Sequence, residues 1–171
     1  NGTDRRPIYV ECTSEGVTIF PEGNRIKLAE LEKSVHSTNP LDAALRTIRL
    51  HALGQYSDAT PPYPLLVVRP DGIESYAAAR GAMQDWDDQF GYELVPTGIQ
   101  LAYDHPDPIL KQKVDSAIRQ AVSQQRAFNS YAGNSGRGSR GRHPKGYSSS
   151  SMANGQKANR RLPVLSAASL D

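Results

Sequence analysis

Apolar and polar residues alternate from the start of the chain. Across residues 6–13, Ile8, Val10 and Cys12 alternate with Tyr9, Glu11 and Thr13, the two-residue period of a strand with one buried face. Ser14, Glu15 and Gly16 are turn material. Residues 17–20 continue as a second strand until Pro21-Glu22-Gly23-Asn24 ends it, so the two runs are expected to pair as an antiparallel hairpin. Residues 25–28 read as a short third extended piece, and 29–38 as a helical turn. A clear helix then opens at Asn39-Pro40: Asn39 caps, and proline at the first helical position gives up no needed hydrogen bond. Leu41, Ala44, Leu45, Ile48 and Ala52 form its apolar stripe, and Gly54 is its expected stop.

The middle of the chain changes period. Four consecutive apolar residues precede Arg69, a pattern expected of a central strand buried on both faces. Residues 73–90 return to a helical period, with Ile73, Tyr76, Ala79, Ala82 or Met83, Trp86 and Phe90 on one stripe and Gly91 as the stop. Residues 92–96 and 99–103 read as strands. Asp107-Pro108 opens a long helix to about Tyr131, its stripe formed by Leu110, Val114, Ala117 or Ile118, and Ala121. The order β-β-α-β-α-β(-β)-α implies an α+β domain, a mixed four- to five-stranded sheet with helices packed on it.

Composition sharpens the boundaries. Only 37% of the 171 residues are hydrophobic, and the mean hydropathy is −0.57. The deficit sits in residues 133–161, which are rich in Gly, Ser and Asn and carry seven basic residues and no acid. Residues 1–132 hold 13 basic residues against 17 acidic ones. The expectation is one folded domain over 5–132 and a disordered basic tail over 133–171. The sequence pI near 8.7 therefore belongs to the tail and gives the domain no basic binding face. A single cysteine excludes an intramolecular disulfide and a cysteine-built zinc site. No stretch of about 18 apolar residues is present, nor a signal peptide, while the start at Asn1 points to a piece of a longer protein with its anchor upstream.

Candidate chemistry is sparse. Arg69-Pro70-Asp71-Gly72 stands where a strand hands over to a helix, the place where α/β sheets bind ligands and helix amides attract anions. Arg69, Asp71, Gly72 and Tyr76 are the candidate contacts for a ligand or partner there. The plainer reading, which we favour, is a Pro-Asp-Gly turn, with Asp71 or Ser75 capping the helix and Arg69 paired with a nearby acid. Asp104, His105 and Asp107 are the only group to set a histidine among acids, but a loop leading to a capped helix explains them, and no metal or other cofactor is expected. Asp85, Asp87 and Asp88 read as a solvated helix end. Cys12 lies on the apolar side of its strand and reads as packing, and no G-x-S-x-G elbow exists. In the tail, Arg137, Arg140, Arg142, Lys145 and Tyr147 are the candidates for nucleic-acid contact, because arginine-glycine segments track phosphates while an aromatic ring stacks on bases.

"PIYVECTSEGVTIFPEG" (7–23) and "YPLLVVRPDGIESYAAARGAM" (63–83) together resemble the periplasmic domain of the ExbD/TolR family. There, too, a hairpin with a glycine turn precedes a helix, and a later strand ends in a basic residue and an aspartate before another helix. Arg69, Asp71 and Tyr76 fall where that pattern puts them. The chain is also similar to uncharacterised bacterial proteins that join a membrane-anchored N-terminus to this module. The resemblance spans about residues 7–103, and the long last helix and basic tail depart from it. It implies an envelope module tethered by an N-terminal helix and working beside a proton-driven inner-membrane channel. The proton-carrying acid of that family lies in the anchoring helix, so it maps to no residue of this chain.

The expectation is a non-enzymatic interaction module with a protein partner in the bacterial envelope or periplasm. Nucleic-acid binding through the tail is one alternative. A hydrolase or transferase built on residues 69–72 is another, and a cytoplasmic location is the alternative to the envelope.

Overall fold

The computed structural model describes residues 5–33, 38–55, 60–86 and 90–134, with the backbone alone for residues 85 and 132–134. Five strands form one mixed sheet: β1 (Pro7–Thr13), β2 (Gly16–Phe20), β3 (Asn24–Lys27), β4 (Tyr63–Val68) and β5 (Gly91–Leu94). Four α-helices join them: α1 (Leu28–Glu32), α2 (Pro40–Gln55), α3 (Ile73–Ala82) and α4 (Pro108–Asn134). The strand order is β3-β2-β1-β4-β5. The first three strands run antiparallel, and β1, β4 and β5 run parallel. The architecture is α+β, as the hydrophobic pattern predicted.

Register follows from the alternation. Val10 pairs with Ile19 and Leu66, and Cys12 with Val17 and Val68, so one face of the sheet is apolar except at Asn24, the buried partner of Ile19 on β3. The helices cover that face. Its residues share a core with Leu41 and Leu45 of α2, Ala79 of α3, and Val114 and Ile118 of α4. Each fully buried aliphatic side chain contributes about 1.5–3 kcal/mol, so these contacts dominate stability. The hairpin needs Gly16 for two reasons: its φ is +138°, and a Cβ there would run into the Ile26 carbonyl oxygen and the Leu28 nitrogen.

On the opposite face, Tyr9, Thr18, Phe20 and Leu65 are half-buried. The segment after β5 crosses this face. Val95 donates to the Val68 carbonyl at 3.0 Å, and the Tyr103 ring stacks on Phe20 with centroids 4.2 Å apart.

Helix ends follow local chemistry. Asn39 Oδ1 accepts from Leu41 N–H at 2.8 Å, and Asp107 Oδ1 accepts from Ile109 and Leu110 N–H at 2.8 and 3.3 Å. Both caps were expected. Gln125, buried on the inner side of α4, donates to the carbonyls of Glu30 and Thr38 at 3.1 Å, which ties the last helix to the end of α1.

Four expectations are corrected. β1 occupies the centre of the sheet, and β4 lies one place nearer the edge, because the short β5 pairs on its outer side. Leu66, Val67 and Val68 are still buried, but Leu65 is only half-buried. Residues 99–103 form no strand. Gly98 adopts φ +96° and turns the chain, and the Pro96 and Ile99 carbonyls bond to the Arg69 guanidinium instead of a sheet ladder. The helix expected over 73–90 stops at Ala82, and a 3-10 turn (Gln84–Trp86) follows, held by the Trp86 indole donating to Asp42 at 2.8 Å. Gly91 therefore starts a strand. Gly54 lies inside α2, which continues to Gln55.

Candidate functional site

The strand-turn-helix at residues 69–72 is built almost entirely from contacts to the end of β1. Arg69 N–H donates to the Cys12 carbonyl at 3.0 Å, which carries the parallel ladder one residue beyond β4. Its guanidinium lies back over the open face. Nε meets Glu11 Oε1 at 2.6 Å, and Nη1 donates to the Pro96 and Ile99 carbonyls at 3.1 and 2.8 Å. Both partners of that ion pair are largely shielded, with 16% and 18% of their side chains exposed. The expected pairing of Arg69 with an acid thus holds, and the guanidinium also straps down the crossing segment.

Neither expected side-chain cap of α3 forms. Asp71 instead accepts the Ser14 backbone N–H at 3.2 Å; that bond and the Ser14 hydroxyl hold its carboxyl below the ordinary range. Ser75 Oγ donates to the Thr13 carbonyl at 2.6 Å. Gly72 stands at the N-cap and presses on β1 so closely that a Cβ would fall within 3.0 Å of the Cys12 carbonyl and the Thr13 nitrogen. These contacts fix the rotation of α3. Ser75, Ala79 and Met83 turn inward, Tyr76 is half-buried against Tyr92 at 5.7 Å, and Ile73 is left outside.

Arg69, Asp71 and Gly72 are thus brought together, and each is engaged by the fold. Cys12 is buried beneath them, and burial pushes its thiol up to about 12, which makes it a poor nucleophile. Arg137, Arg140, Arg142, Lys145 and Tyr147 lie outside the described residues, as do Asp87, Asp88 and the side chain of Asp85.

A second cluster escaped the sequence reading. His51 sits on the buried stripe of α2 and faces the start of α4, where Asp107 and Glu22 meet it. Its Nε2 lies 3.3 Å from Asp107 Oδ2 without the alignment of a hydrogen bond, and its Nδ1 is 3.4 Å from Lys113 Nζ. Glu22, in the turn between β2 and β3, accepts from its own backbone N–H and from that of Asp107; burial pushes its carboxyl above the ordinary value. The α4 N-terminal amides hold the Asp107 carboxyl below its ordinary value. These groups line a cavity of about 560 Å³, with Arg6, Asp104 and His105 also on its wall. One signal was available in the sequence: His51 falls on the apolar stripe of α2, one turn past Ile48.

With one imidazole nitrogen facing a lysine and the other a carboxylate, His51 has no open lone pair for general-base work. Asp104, His105 and Asp107 share the wall, yet no group of three His, Cys, Asp or Glu among the described residues is arranged to hold a metal ion. No protein-family model matches the chain, and no curated protein or solved structure matches it.

Proposed function

We propose that the chain is a non-enzymatic protein-interaction module, the water-exposed part of a membrane-anchored bacterial envelope protein. The observation that carries this reading is an apolar patch at the open edge of the sheet. Tyr92 and Leu94 point to the same side of β5 and are 61% and 72% exposed. Tyr92 touches Tyr76, and Ile73, one helical turn away from Tyr76, is 67% exposed. Among the described residues, β5 pairs with β4 alone, so its outer backbone groups have no ladder partner. A short edge flanked by tyrosine and large aliphatic side chains suits an apolar segment of another protein, since buried aromatic anchors carry most of the energy of such contacts.

The assignment to the envelope rests on the ExbD/TolR resemblance of residues 7–23 and 63–83. No described helix is long and apolar enough to cross a membrane, so in this reading the anchor lies upstream. The strand-turn-helix supports a structural role, because its polar groups are engaged internally.

The test uses the full chain as bait against detergent-solubilised bacterial membranes, beside a Tyr92→Ser/Leu94→Ser variant with matched circular dichroism and melting. The expected result is one inner-membrane or envelope protein retained by the wild type and lost by the variant, which then binds the purified chain directly. Equal recovery on both baits, or none, overturns the reading.

A further inference from the structure

The outer side of α2 carries a stripe that the core does not use. Arg46, Arg49, Leu50 and Leu53 follow one another at helical spacing, so their side chains share one surface. Leu50 is 71% exposed and Leu53 46%. The Arg49 guanidinium lies over the Trp86 ring, 4.6 Å from its centroid, and Arg46 Nε stands 2.8 Å from Asp42 Oδ2. Arg5, just ahead of β1, donates from Nε to the Pro61 carbonyl at 3.1 Å and lies 5.9 Å from the Tyr63 ring centroid. Burial, and after it the charges of Arg5 and Arg46, lower the pKa of Arg49, so these guanidinium groups share one electrostatic neighbourhood. The Asp42 carboxylate is divided between Arg46 and the Trp86 indole. Residues 1–132 hold more acids than bases, so the gathering of arginines runs against the average charge of the domain.

Two demands meet on this surface. Crowded guanidinium groups are relieved by an anion, and exposed leucines by apolar material. A small anion answers only the first, and the phosphates of a nucleic acid likewise leave both leucines in water. An apolar protein surface answers only the second and strips water from the arginines. The surface of an anionic bilayer answers both, because headgroup phosphates meet the arginines while the leucines enter the boundary of the acyl chains. The shape agrees: the outer side of a helix is convex, and a lipid surface yields to it. We propose that the outer face of α2, together with Arg5, docks on a bilayer that contains anionic phospholipid. Two leucines and three arginines give a weak contact, which a tether makes effective by raising the local concentration. Its setting therefore rests on the envelope reading, in which the anchor precedes residue 1, close to Arg5. The contact uses no residue of the β5 patch.

The test is co-sedimentation of the full chain with vesicles of phosphatidylethanolamine and phosphatidylglycerol, and with vesicles of phosphatidylcholine alone. A second full-length protein has the seven basic residues of 133–161 changed to glutamine, which removes the attraction of the tail. The expected result is saturable binding of both proteins to the anionic vesicles and little to the neutral ones. In the tail-neutralised protein, Leu50→Ser/Leu53→Ser should weaken binding about tenfold. Arg49→Gln should weaken it about fivefold, and Arg49→Lys should restore it. All variants are matched by circular dichroism and melting; the serine pair changes exposed positions and serves alone where Arg49→Gln does not fold. A bimane label on Leu53→Cys should shift to the blue on the vesicles, and one on the exposed Ala127→Cys should not, Cys12 being buried. Binding that vanishes with the tail charges overturns the proposal, as does unchanged affinity in the serine pair, equal binding to neutral vesicles, or a blue shift at residue 127 alone. Displacement of the labelled surface by a double-stranded oligonucleotide, with the same loss in the arginine variant and none in the serine pair, overturns it in favour of nucleic acid. Tyr92→Ser/Leu94→Ser should bind vesicles like wild type, so failure of partner capture and failure of lipid docking are read separately.

Discussion

Replacing Gly72 with alanine tests how the two halves of the sheet are joined. The added Cβ would lie within 3.0 Å of the Cys12 carbonyl and the Thr13 nitrogen, closer than real Cβ atoms approach backbone. The opposing atoms belong to the central strand and have no rotamer with which to yield. Overpacking of this kind costs about 1–3 kcal/mol, here toward the upper end. Relief requires α3 and β1 to part. That lengthens the Arg69 N–H bond to the Cys12 carbonyl at 3.0 Å and the Ser75 Oγ bond to the Thr13 carbonyl at 2.6 Å. Each contributes about 1 kcal/mol, so the expected total loss is about 4–5 kcal/mol. A domain of this size has about 5–15 kcal/mol in all, so the variant stands near the edge of folding. Equilibrium urea unfolding measures the loss; with an m-value of about 2 kcal/mol/M, the midpoint falls by about 2 M. Gly81→Ala is the control. It sits inside α3 with nothing within 4 Å of its Cβ, and alanine there stabilises the helix by about 0.5–1 kcal/mol. A Gly72→Ala midpoint within about 0.5 M of wild type would refute the steric argument.

Three further perturbations probe other joints. Arg69→Met removes the shielded pair with Glu11 and the bonds to the Pro96 and Ile99 carbonyls; a loss of about 2–4 kcal/mol is expected, with faster amide exchange over 96–103, and unchanged exchange there would show that the arginine is not the strap. Glu22 has its folded pKa raised by burial, so its contribution is complete below its ordinary value of 4.5 and is lost as pH rises through the folded value. Glu22→Gln should therefore be more stable than wild type at pH 7, with the advantage vanishing near pH 4; a constant offset across that range contradicts the assignment. Asp107 behaves in the opposite sense, its contribution being present above the ordinary carboxylate range and lost as pH falls through its depressed value. Cys12, with its thiol pushed up to about 12, should resist a disulfide reagent in the native protein and react fully in denaturant; prompt reaction of the folded chain would place it elsewhere than the core.

What was legible in the sequence was periodic or local. The alternation of Ile8, Val10 and Cys12, the stripe of α2 and the caps at Asn39 and Asp107 depend on near neighbours, and the structure follows them. Residues 99–103 have the composition of a strand, but a distant guanidinium takes their carbonyls. The rotation of α3 was hidden for a related reason. Ile73 looks like a core residue by period, yet Ser75 and Gly72 are drawn to the end of β1, about sixty residues earlier, and the helix turns with them. The cavity polar group was harder still. His51, Asp107 and Glu22 come from three separated segments, and only the packing of α2 on α4 and the β2–β3 turn brings them within reach.

The reach of α4 also has a consequence for synthesis. Until residues 108–125 have left the ribosome, the face of α2 that meets α4 has nothing to pack on, and the carbonyls of Glu30 and Thr38 lack the amide of Gln125. The sheet and its first three helices must therefore wait as an incompletely closed nascent chain with apolar surface exposed to solvent. Completion comes from the last helix, and a chaperone that bridges this interval would recognise the bare side of α2.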